Sequence, residues 1–455
     1  MPIEGWHVGP CAASLRPLMI KILSQFIKPM HRFRATAAVL AALVLSGVLA
    51  GVLRGTTDRA AIAEDAPIRI GVLATLDGAY EALGRDAMRG VDLALSEFAG
   101  AVSGRPVELV IESTDGTSDG LARAVAKLMG EDQLEIIVGP LTGAEGVILR
   151  DIARGTPSIT FVSGSAAAPD MTLYDAAPNL FRFSADVSQW LAGLGSYAYH
   201  KRGIRRVITI AEDYSFPYFQ VFAFLAEFCD RGGSVAARHW LPIGGNRFAP
   251  LVQRVISVDA DAIFLALEGH DAVRFTRAYH EAGGALPLIG GPVTVDEEFV
   301  QFANGEQDIM AGTLTSGPIA SDDGDSAWRE FAERYGQAFP AGRKGPSIYA
   351  YAYYANMRAL LLALNDVGGE LEPGHEDLRD ALADLRLETP TGRVSLDDNR
   401  QGVVTNFVME LARRGDGGLR RVVVDRVKRV DQSLDLGRRA WLALGTPGRG
   451  TPVCR

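Results

Sequence analysis

The chain has 455 residues, of which 47% are hydrophobic and 22% are charged, and its formal net charge is −9. This length predicts two or more domains, and the ordinary globular composition excludes a chain that is disordered throughout. The acidic balance makes nucleic acids and anionic membranes poor candidates for partners.

The first 63 residues carry the signals of an export leader. Lys28, Arg32 and Arg34 precede an apolar run over 35–53, and an A-x-A pattern occupies 61–63. This arrangement predicts a secretory signal peptide, with an uncleaved membrane anchor as the alternative. No cysteine closely follows the apolar run, which disfavours a lipid-anchored form.

Removal of this leader makes the chain more acidic. The leader contains seven basic and two acidic residues, so 39 basic and 53 acidic residues remain, with a net charge of −14. Two cysteines also remain, Cys229 in a helical pattern and Cys454 at the penultimate position. A disulfide between them is possible but is not the favoured interpretation. Stability is expected from core burial, which a chain of this length can supply.

The segment 68–98 shows the pattern that the rest of the chain repeats. The apolar run 70–74 predicts a strand buried on both faces, and apolar residues at helical spacing over 88–98 predict an amphipathic helix. The loop 75–79 joins them. Because ligands of open α/β sheets bind outside the carboxyl ends of the strands, we expect this loop to face any site.

Strand and helix signals then alternate in two rounds, over 107–200 and 207–302. This alternation predicts two lobes with mostly parallel sheets and helices on both faces. Long helical patterns follow, and three strand patterns lie between 393 and 427. The last residues are rich in Gly, Pro and Arg, which predicts a mobile tail.

Signatures of catalysis and of cofactor binding are absent from the sequence. It has no G-x-G-x-x-G after the first strand, no Walker A loop, no H-E-x-x-H and no C-x-x-C. Instead, four strand-end loops are rich in small and aromatic residues, at 141–143, 163–168, 214–216 and 268–270. Small residues let backbone N–H groups approach a ligand and aromatic rings cover it, so this composition favours binding over chemistry.

The order and spacing of these segments resemble the solute-binding proteins of ABC transporters, specifically the leucine/isoleucine/valine-binding type. The residues that carry the resemblance are 68–95, 137–140, 161–169, 181–182, 211–216, 346–364 and 392–397. The resemblance implies an α/β fold of the type I periplasmic binding protein class. Two doubly wound parallel-sheet lobes, joined by three hinge crossings, would close on a ligand without catalysis or a cofactor.

The resemblance also implies domain boundaries and partners. Lobe 1 would comprise 67–183 with 311–399, lobe 2 would comprise 184–310 with 400–436, and 437–455 would be the mobile tail. The implied protein is a periplasmic monomer that binds a small molecule and docks on an ABC permease in the inner membrane.

Several positions depart from the amino-acid-binding pattern of that family. The hydroxyl residues that hold an α-carboxylate fall on Gly143 and Ala167, and the acid that holds the α-ammonium falls near Pro292. The second-lobe aromatic residue is kept as Phe216. An unpaired buried ammonium is costly, so loss of its acid should penalise amino acids unless Glu268, or its neighbour Asp271, replaces it.

The predicted ligand is therefore a small organic solute: a branched-chain amino acid-like molecule, an amide or an aromatic acid. First-lobe loops are expected to hold its polar end, and aromatic side chains are expected to close over it. The alternatives are a ligand sensor of the same fold that docks on a signalling partner, or a secreted α/β enzyme with a carboxylate pair. The predicted binding residues are Asp77, Tyr80, Leu141, Thr142, Gly143, Ser163, Ser165, Ala166, Ala167, Tyr214, Phe216, Glu268, Gly269 and Tyr349.

Overall fold

Two separate sheets organise the protein, in agreement with the predicted fold class. The computed structural model describes residues 66–245, 247–303, 310–320, 326–343, 345–415 and 418–454. The predicted signal peptide lies outside the described residues.

The first sheet forms the core of lobe 1. Its strands are β1 (Ile68–Thr75), β2 (Ala101–Val102), β3 (Arg105–Thr114), β4 (Ile136–Val138), β5 (Thr160–Val162) and β6 (Leu180–Phe181). They lie in the order β2-β3-β1-β4-β5-β6, and all neighbours are parallel except β2 and β3. The connecting helices are α1 (Glu81–Ser96), α2 (Ser118–Gly130) and α3 (Gly143–Gly155). Because β1 is apolar and lies inside the sheet, nearly all of its side chains are buried.

The second sheet forms the core of lobe 2. Its parallel strands are β7 (Arg206–Glu212), β8 (Ser234–Leu241), β9 (Ala262–Ala266), β10 (Leu288–Gly290) and β11 (Leu314–Gly317), in the order β8-β7-β9-β10-β11. The helices that connect them are α4 (Leu194–His200), α5 (Ser215–Asp230), α6 (Ala249–Ile256), α7 (Gly269–Glu281) and α8 (Glu297–Ala303).

The chain then returns to lobe 1 and crosses once more. The returning elements are α9 (Ser326–Ala338), α10 (Ile348–Asp366), α11 (Glu376–Asp384), β12 (Leu387–Thr389) and β13 (Gly392–Leu396). Helix α10 packs along α1, and a Cβ atom on Gly90 would collide with the carbonyl oxygen of Ala350. The final crossing leads into β14 (Gly402–Arg413), which pairs antiparallel with both β11 and β15 (Leu419–Val430).

The predicted lobe boundaries stay a prediction. The boundary at 310/311 would place β11 in lobe 1, and in the structure β11 pairs with β10 and β14 of the second sheet. The pattern of an apolar run predicts that a strand exists. The sheet to which that strand belongs depends on the strands with which it pairs.

The segment that leads into β7 is not one continuous helix. A 3₁₀ turn at Gln189–Leu191 is followed by Gly193 at φ 84°, and only then does α4 begin. Such a φ angle favours glycine, and a Cβ atom at this position would collide with the side chain of Val427.

The segment after residue 436 is not the free tail that the sequence predicts. It contains α12 (Arg438–Ala443), whose Trp441 is buried, and it ends in a disulfide between Cys454 and Cys229 with Cα atoms 5.0 Å apart. The expectation against a disulfide is therefore wrong. The two cysteines are 225 residues apart in sequence, and the fold brings the C-terminus back onto α5.

The hinge has a polar interior centred on Arg182, at the start of the first crossing. Its guanidinium lies 3.7 Å from the carboxylate of Asp186, and both side chains are fully buried. The Nη1 atom donates to the carbonyl oxygens of Ala166 and Ala168 at 3.0 and 2.8 Å, and Nη2 donates to the hydroxyl of Thr172 at 2.7 Å. Burial lowers the pKa of Arg182 to about 10.

The same network reaches the third crossing. The Nε atom of Arg182 donates to Oε1 of Gln401, and Gln401 donates to the side-chain oxygen of Gln189 at 2.9 Å. Gln189 in turn donates to the carbonyl oxygens of Gly402 and Val430 at 2.8 and 2.9 Å. Side chains thus join the first crossing, the third crossing and the end of β15.

Replacing Arg182 by Met leaves Asp186 buried without its cationic partner. We expect the free energy of unfolding to fall by about 3–5 kcal/mol, because removing one member of a buried ion pair exposes the desolvation cost of the other. Urea unfolding followed by circular dichroism measures this loss. Arg393→Met is the control, since the Arg393–Glu388 pair is exposed and such pairs contribute at most about 1 kcal/mol. Equal losses in the two variants would contradict a structural role for the buried pair.

Candidate ligand-binding site

A cavity of about 930 Å³ lies between the lobes, next to the carboxyl ends of β1, β9 and β10. Lobe 1 contributes Tyr80 to its wall, and lobe 2 contributes Glu268 and Asp296. Trp328 of α9 and Tyr349 of α10 line it from the segment that returns to lobe 1. The volume is within the range of about 300–1,000 Å³ that small-molecule sites occupy.

A tyrosine and two carboxyl groups of lobe 2 form the polar side of this cavity. The hydroxyl of Tyr214 donates to Oε1 of Glu268 at 2.7 Å. Burial raises the pKa of Glu268, and the charge of Asp296 raises it further. The neighbouring Glu212 ends β7, and its burial, with the charges of Glu268 and Asp271, raises its pKa to about 7.

The charges of these acids also raise the pKa values of two tyrosines on the opposite wall, Tyr80 and Tyr349. Burial raises the pKa of Tyr80, and the charges of Glu268, Glu212 and Glu145 raise it further. Burial and the charge of Glu268 likewise raise the pKa of Tyr349. The site therefore combines aromatic rings with charges of both signs, because the lining also includes Arg329, Arg343, Arg414, Arg420 and Arg421. The acids beside the tyrosines suit the positively charged part of a ligand.

The hydroxyl of Thr142, which was predicted to face the ligand, is already engaged within the protein. Thr142 is the N-cap of α3, and its backbone N–H and its hydroxyl donate to Oε2 of Glu145 at 3.0 and 2.9 Å. The backbone N–H of Glu145 donates back to the Thr142 hydroxyl at 3.3 Å. This capping box places a carboxylate of the chain itself at the helix N-terminus.

The predicted residues of the loop 163–168 are buried rather than open to the large cavity. The hydroxyl of Ser165 donates to the carbonyl oxygen of Leu141 at 3.0 Å, and the Ala166 carbonyl accepts from Arg182. Ser163 and Ala167 are also buried. Ser165 borders a second cavity of about 10 Å³, which is too small for an organic solute.

The remaining predicted residues differ in whether they line the large cavity. Gly269 lines the large cavity, whereas Asp77 is exposed and accepts a hydrogen bond from Ser113 at 2.6 Å. Gly143 is the first residue of α3. The ring of Phe216 packs edge-on against Trp190, with ring centroids 5.9 Å apart.

The structure thus brings together Tyr80, Glu268, Gly269 and Tyr349 around one cavity, with Tyr214 behind Glu268. Their contact with a ligand stays a prediction. Sequence reasoning missed Asp296, Trp328 and Arg343, which also line the cavity. Asp296 follows a strand end by six residues and could have been found on that ground, whereas Trp328 and Arg343 reach the cleft only through the tertiary fold.

The family model described as periplasmic binding protein matches residues 67–417. The chain belongs to this family. Its members are binding proteins of transporters, and the resemblance stated from the sequence is confirmed. The match ends before α12 and the C-terminal cysteine.

Individual relatives agree with this assignment. The chain is 24% identical over 359 residues to a Leu/Ile/Val-binding protein homolog 6 of Brucella melitensis, a match that covers 77% of this chain and 89% of the relative. It is similar to an ABC transporter substrate-binding protein from Sphaerobacter thermophilus, with 29% identity, a TM-score of 0.75 and coverage of 80% and 99% of the two chains. It also shares its fold with a solute-binding protein from Rhodopseudomonas palustris BisB5 in complex with 3,4-dihydroxybenzoic acid, at 21% identity, a TM-score of 0.70 and coverage of 80% and 98%.

Two other kinds of site are absent from the part of the chain that the structure describes. No group of three or more His, Cys, Asp or Glu side chains there could hold a metal ion. None of the helices described is both long and apolar enough to span a membrane.

The raised pKa of Glu212 has a consequence for stability. The native carboxyl holds its proton up to about pH 7, whereas an unfolded Glu releases it near 4.5. The native state binds more protons across this window, so stability falls as the pH rises through it. We expect Glu212→Gln to remove part of this fall, so that its melting temperature exceeds that of the wild type by a few degrees at pH 8 but not at pH 4.5.

Thermal unfolding at several pH values measures this difference. Glu388→Gln is the control, because Glu388 is exposed on β12, and it should leave the pH profile unchanged. Parallel profiles for the wild type and Glu212→Gln would refute the argument.

Proposed function

We propose that this protein is the extracytoplasmic substrate-binding component of an ABC transporter, which captures a small organic solute by hinge closure and delivers it to a membrane permease. The observation that carries the proposal is the cavity of about 930 Å³ between the lobes, with walls from both of them. A ligand that touches both walls binds the closed form better than the open form, and this difference in affinity drives closure. Binding without turnover is part of the proposal.

The charges in the cleft narrow the class of solute. Glu268 and Asp296, which line the cavity, favour a ligand with an amine, and in this proposal Glu268 supplies the acid that the position near Pro292 lacks. Tyr80 and Tyr349 offer faces for a cation or an apolar side chain. An aromatic acid without an amine would bring a further negative charge beside Glu268, so an aromatic acid is disfavoured.

Arginines supply charge of the opposite sign in the same cavity. Arg343 is one of them, with Arg329, Arg414, Arg420 and Arg421, and its charge lowers the pKa of Tyr349 against the larger raising effects of burial and Glu268. A zwitterion could place its amine toward Glu268 and its carboxylate toward Arg343. We therefore propose an amino acid-like solute, which is the first of the three classes that the sequence predicts.

The disulfide supports an extracytoplasmic location. Disulfides persist in oxidising compartments such as the bacterial periplasm and are rare in the cytosol. The Cys229–Cys454 bond therefore agrees with the signal peptide predicted over the first 63 residues. Together they support a periplasmic protein, and we propose further that it binds its solute as a monomer and docks on an inner-membrane permease.

Isothermal titration calorimetry at pH 8 with L-isoleucine, tyramine and 3,4-dihydroxybenzoate tests the proposal. We expect one of the amines to bind and the aromatic acid to bind more weakly. Glu268→Gln should weaken binding of the amine by about 10- to 100-fold, because hydrogen bonds to charged groups contribute about 1.5–3 kcal/mol.

The control variant is Glu388→Gln, which changes an exposed acid outside the cavity lining and should bind like the wild type. Preferential binding of 3,4-dihydroxybenzoate would contradict the assignment of an amine ligand. No heat with any of the three compounds at millimolar concentration would count against the binding function itself.

A further inference from the structure

The C-terminal segment beyond the family match packs along one helix of lobe 2. Trp441 of α12 is buried, and its ring packs edge-on against Phe222 of α5 with centroids 5.0 Å apart. The disulfide then joins Cys454 to Cys229 near the end of the same helix. Residues 446–454, which we name the C-terminal arm, therefore lie between two anchors on α5.

An ion pair links the C-terminal arm to the loop that precedes α5. The Nε atom of Arg449 donates to Oδ1 of Asp213 at 2.8 Å, and a second guanidinium nitrogen contacts the other carboxylate oxygen. The hydroxyl of Tyr218 also donates to Asp213. The hydrogen bonds from Arg449, and then from Tyr218, hold the pKa of Asp213 below its ordinary value.

The backbone of the C-terminal arm accepts hydrogen bonds from side chains of β8, the edge strand of the second sheet. The indole N–H of Trp240 donates to the carbonyl oxygen of Arg449 at 3.1 Å, and Arg238 donates to that of Thr451 at 2.9 Å. The Trp240 ring packs edge-on against Tyr218 with centroids 4.8 Å apart. The C-terminal arm is thus held at its backbone as well as at its side chains.

Asp213 connects the C-terminal arm to the ligand cleft, because the residues that follow it reach the wall of the cleft and the first crossing. It is followed directly by Tyr214, whose hydroxyl donates to Glu268 on the wall of the large cavity. Phe216, two residues further on, packs against Trp190 at the end of the first crossing. Fixing Asp213 therefore fixes the start of the segment that presents both aromatic side chains.

The covalent tether explains how an exposed ion pair can do this. An exposed pair contributes little alone, because holding two long side chains in one geometry costs entropy. Arg449 is only five residues from the disulfide, so its effective concentration beside Asp213 is high. A bidentate guanidinium–carboxylate contact also fixes direction, which a single point charge does not.

We propose that the C-terminal arm is a clasp that positions the segment 213–216, the end of the loop before α5 and the first residues of that helix, at the ligand cleft, with Arg449 as a positioning residue for Tyr214. Arg449 acts through Asp213 and does not line the cavity. The effect of the clasp on ligand capture rests on the proposed function, whereas its effect on the order of the segment does not.

Hydrogen–deuterium exchange of the full chain tests the order of the segment. Arg449→Ala should speed exchange of the backbone amides of 213–218 by about two- to fivefold and leave the first sheet unchanged. Arg449→Lys should restore part of the protection, since it keeps the charge but not the bidentate contact. Cys454→Ser removes the tether and should act in the same direction as Arg449→Ala.

Arg439→Ala is the matched control. Arg439 lies on α12, is exposed, and has no ion pair with any residue that the structure describes. Exchange at 213–218 that is equal in Arg449→Ala and Arg439→Ala would overturn the clasp. Faster exchange spread evenly over both lobes in Arg449→Ala would overturn it too, because that result would mean a general loss of stability.

Calorimetry with L-isoleucine and with tyramine provides the second readout. If either binds the wild type, Arg449→Ala should weaken that binding by about two- to fivefold at an unchanged melting temperature. Unchanged affinity would overturn the link between clasp and site. If the wild type binds neither compound, that result counts against the proposed function. The exchange experiment still decides whether the clasp exists.

Discussion

A buried guanidinium holds the two lobes in register. Arg182 lies at the start of the first crossing, pairs with Asp186, and through Gln401 reaches the third. Burying such a pair contributes little net stability, because desolvation offsets most of the attraction. What it does provide is a fixed geometry, since any rearrangement that separates the two charges leaves each of them buried and unpaired. The hinge strands are thus tied to one another rather than merely adjacent.

The same side chain also decides which parts of the cleft can adapt to a ligand. Arg182 donates to the carbonyl oxygens of Ala166 and Ala168, so the first-lobe loop 163–168 is part of the hinge network. In the adjacent loop, Glu145 occupies the hydrogen-bonding groups of Thr142. The polar groups that remain for a ligand come mainly from lobe 2 and from the returning segment. The two walls of the site are consequently unequal, with a rigid wall in lobe 1 and a titratable wall in lobe 2.

The sequence predicts the positions of most elements well, because a buried strand and an amphipathic helix leave local patterns of residues. Three of the residues predicted from it, Tyr80, Glu268 and Tyr349, line the large cavity in the structure. It does not show whether a hydroxyl at such an end is free. For Thr142 a signal existed, since a Thr followed three residues later by Glu is the pattern of a capping box.

Other features depend on tertiary contacts that leave no local pattern. The apolar run of β11 would read the same in either lobe. Its place in the second sheet depends on its pairing with β10 and β14. The disulfide joins residues 225 positions apart, and neither cysteine has a neighbour in sequence that indicates its partner. Ser165 meets Leu141 only after two strands have paired. In each case the information is distributed over two distant stretches of chain.

Under the proposed function, the acids of the cleft would give the ligand a direct part in closure. Glu212 and Glu268 belong to lobe 2, whereas Tyr80 and Glu145 belong to lobe 1, and the charges of all three acids act on the Tyr80 hydroxyl. Moving the walls together without a ligand would bring these acids closer and remove water from them, which opposes closure. A cationic group between the walls would reverse the sign of that interaction. Its affinity for the closed form would then exceed its affinity for the open form, and this difference is what a ligand needs in order to shift a two-state hinge. A ligand with an amine would therefore provide both the occupant and the closing force, whereas a neutral ligand of the same size would have to close the hinge by apolar contact alone.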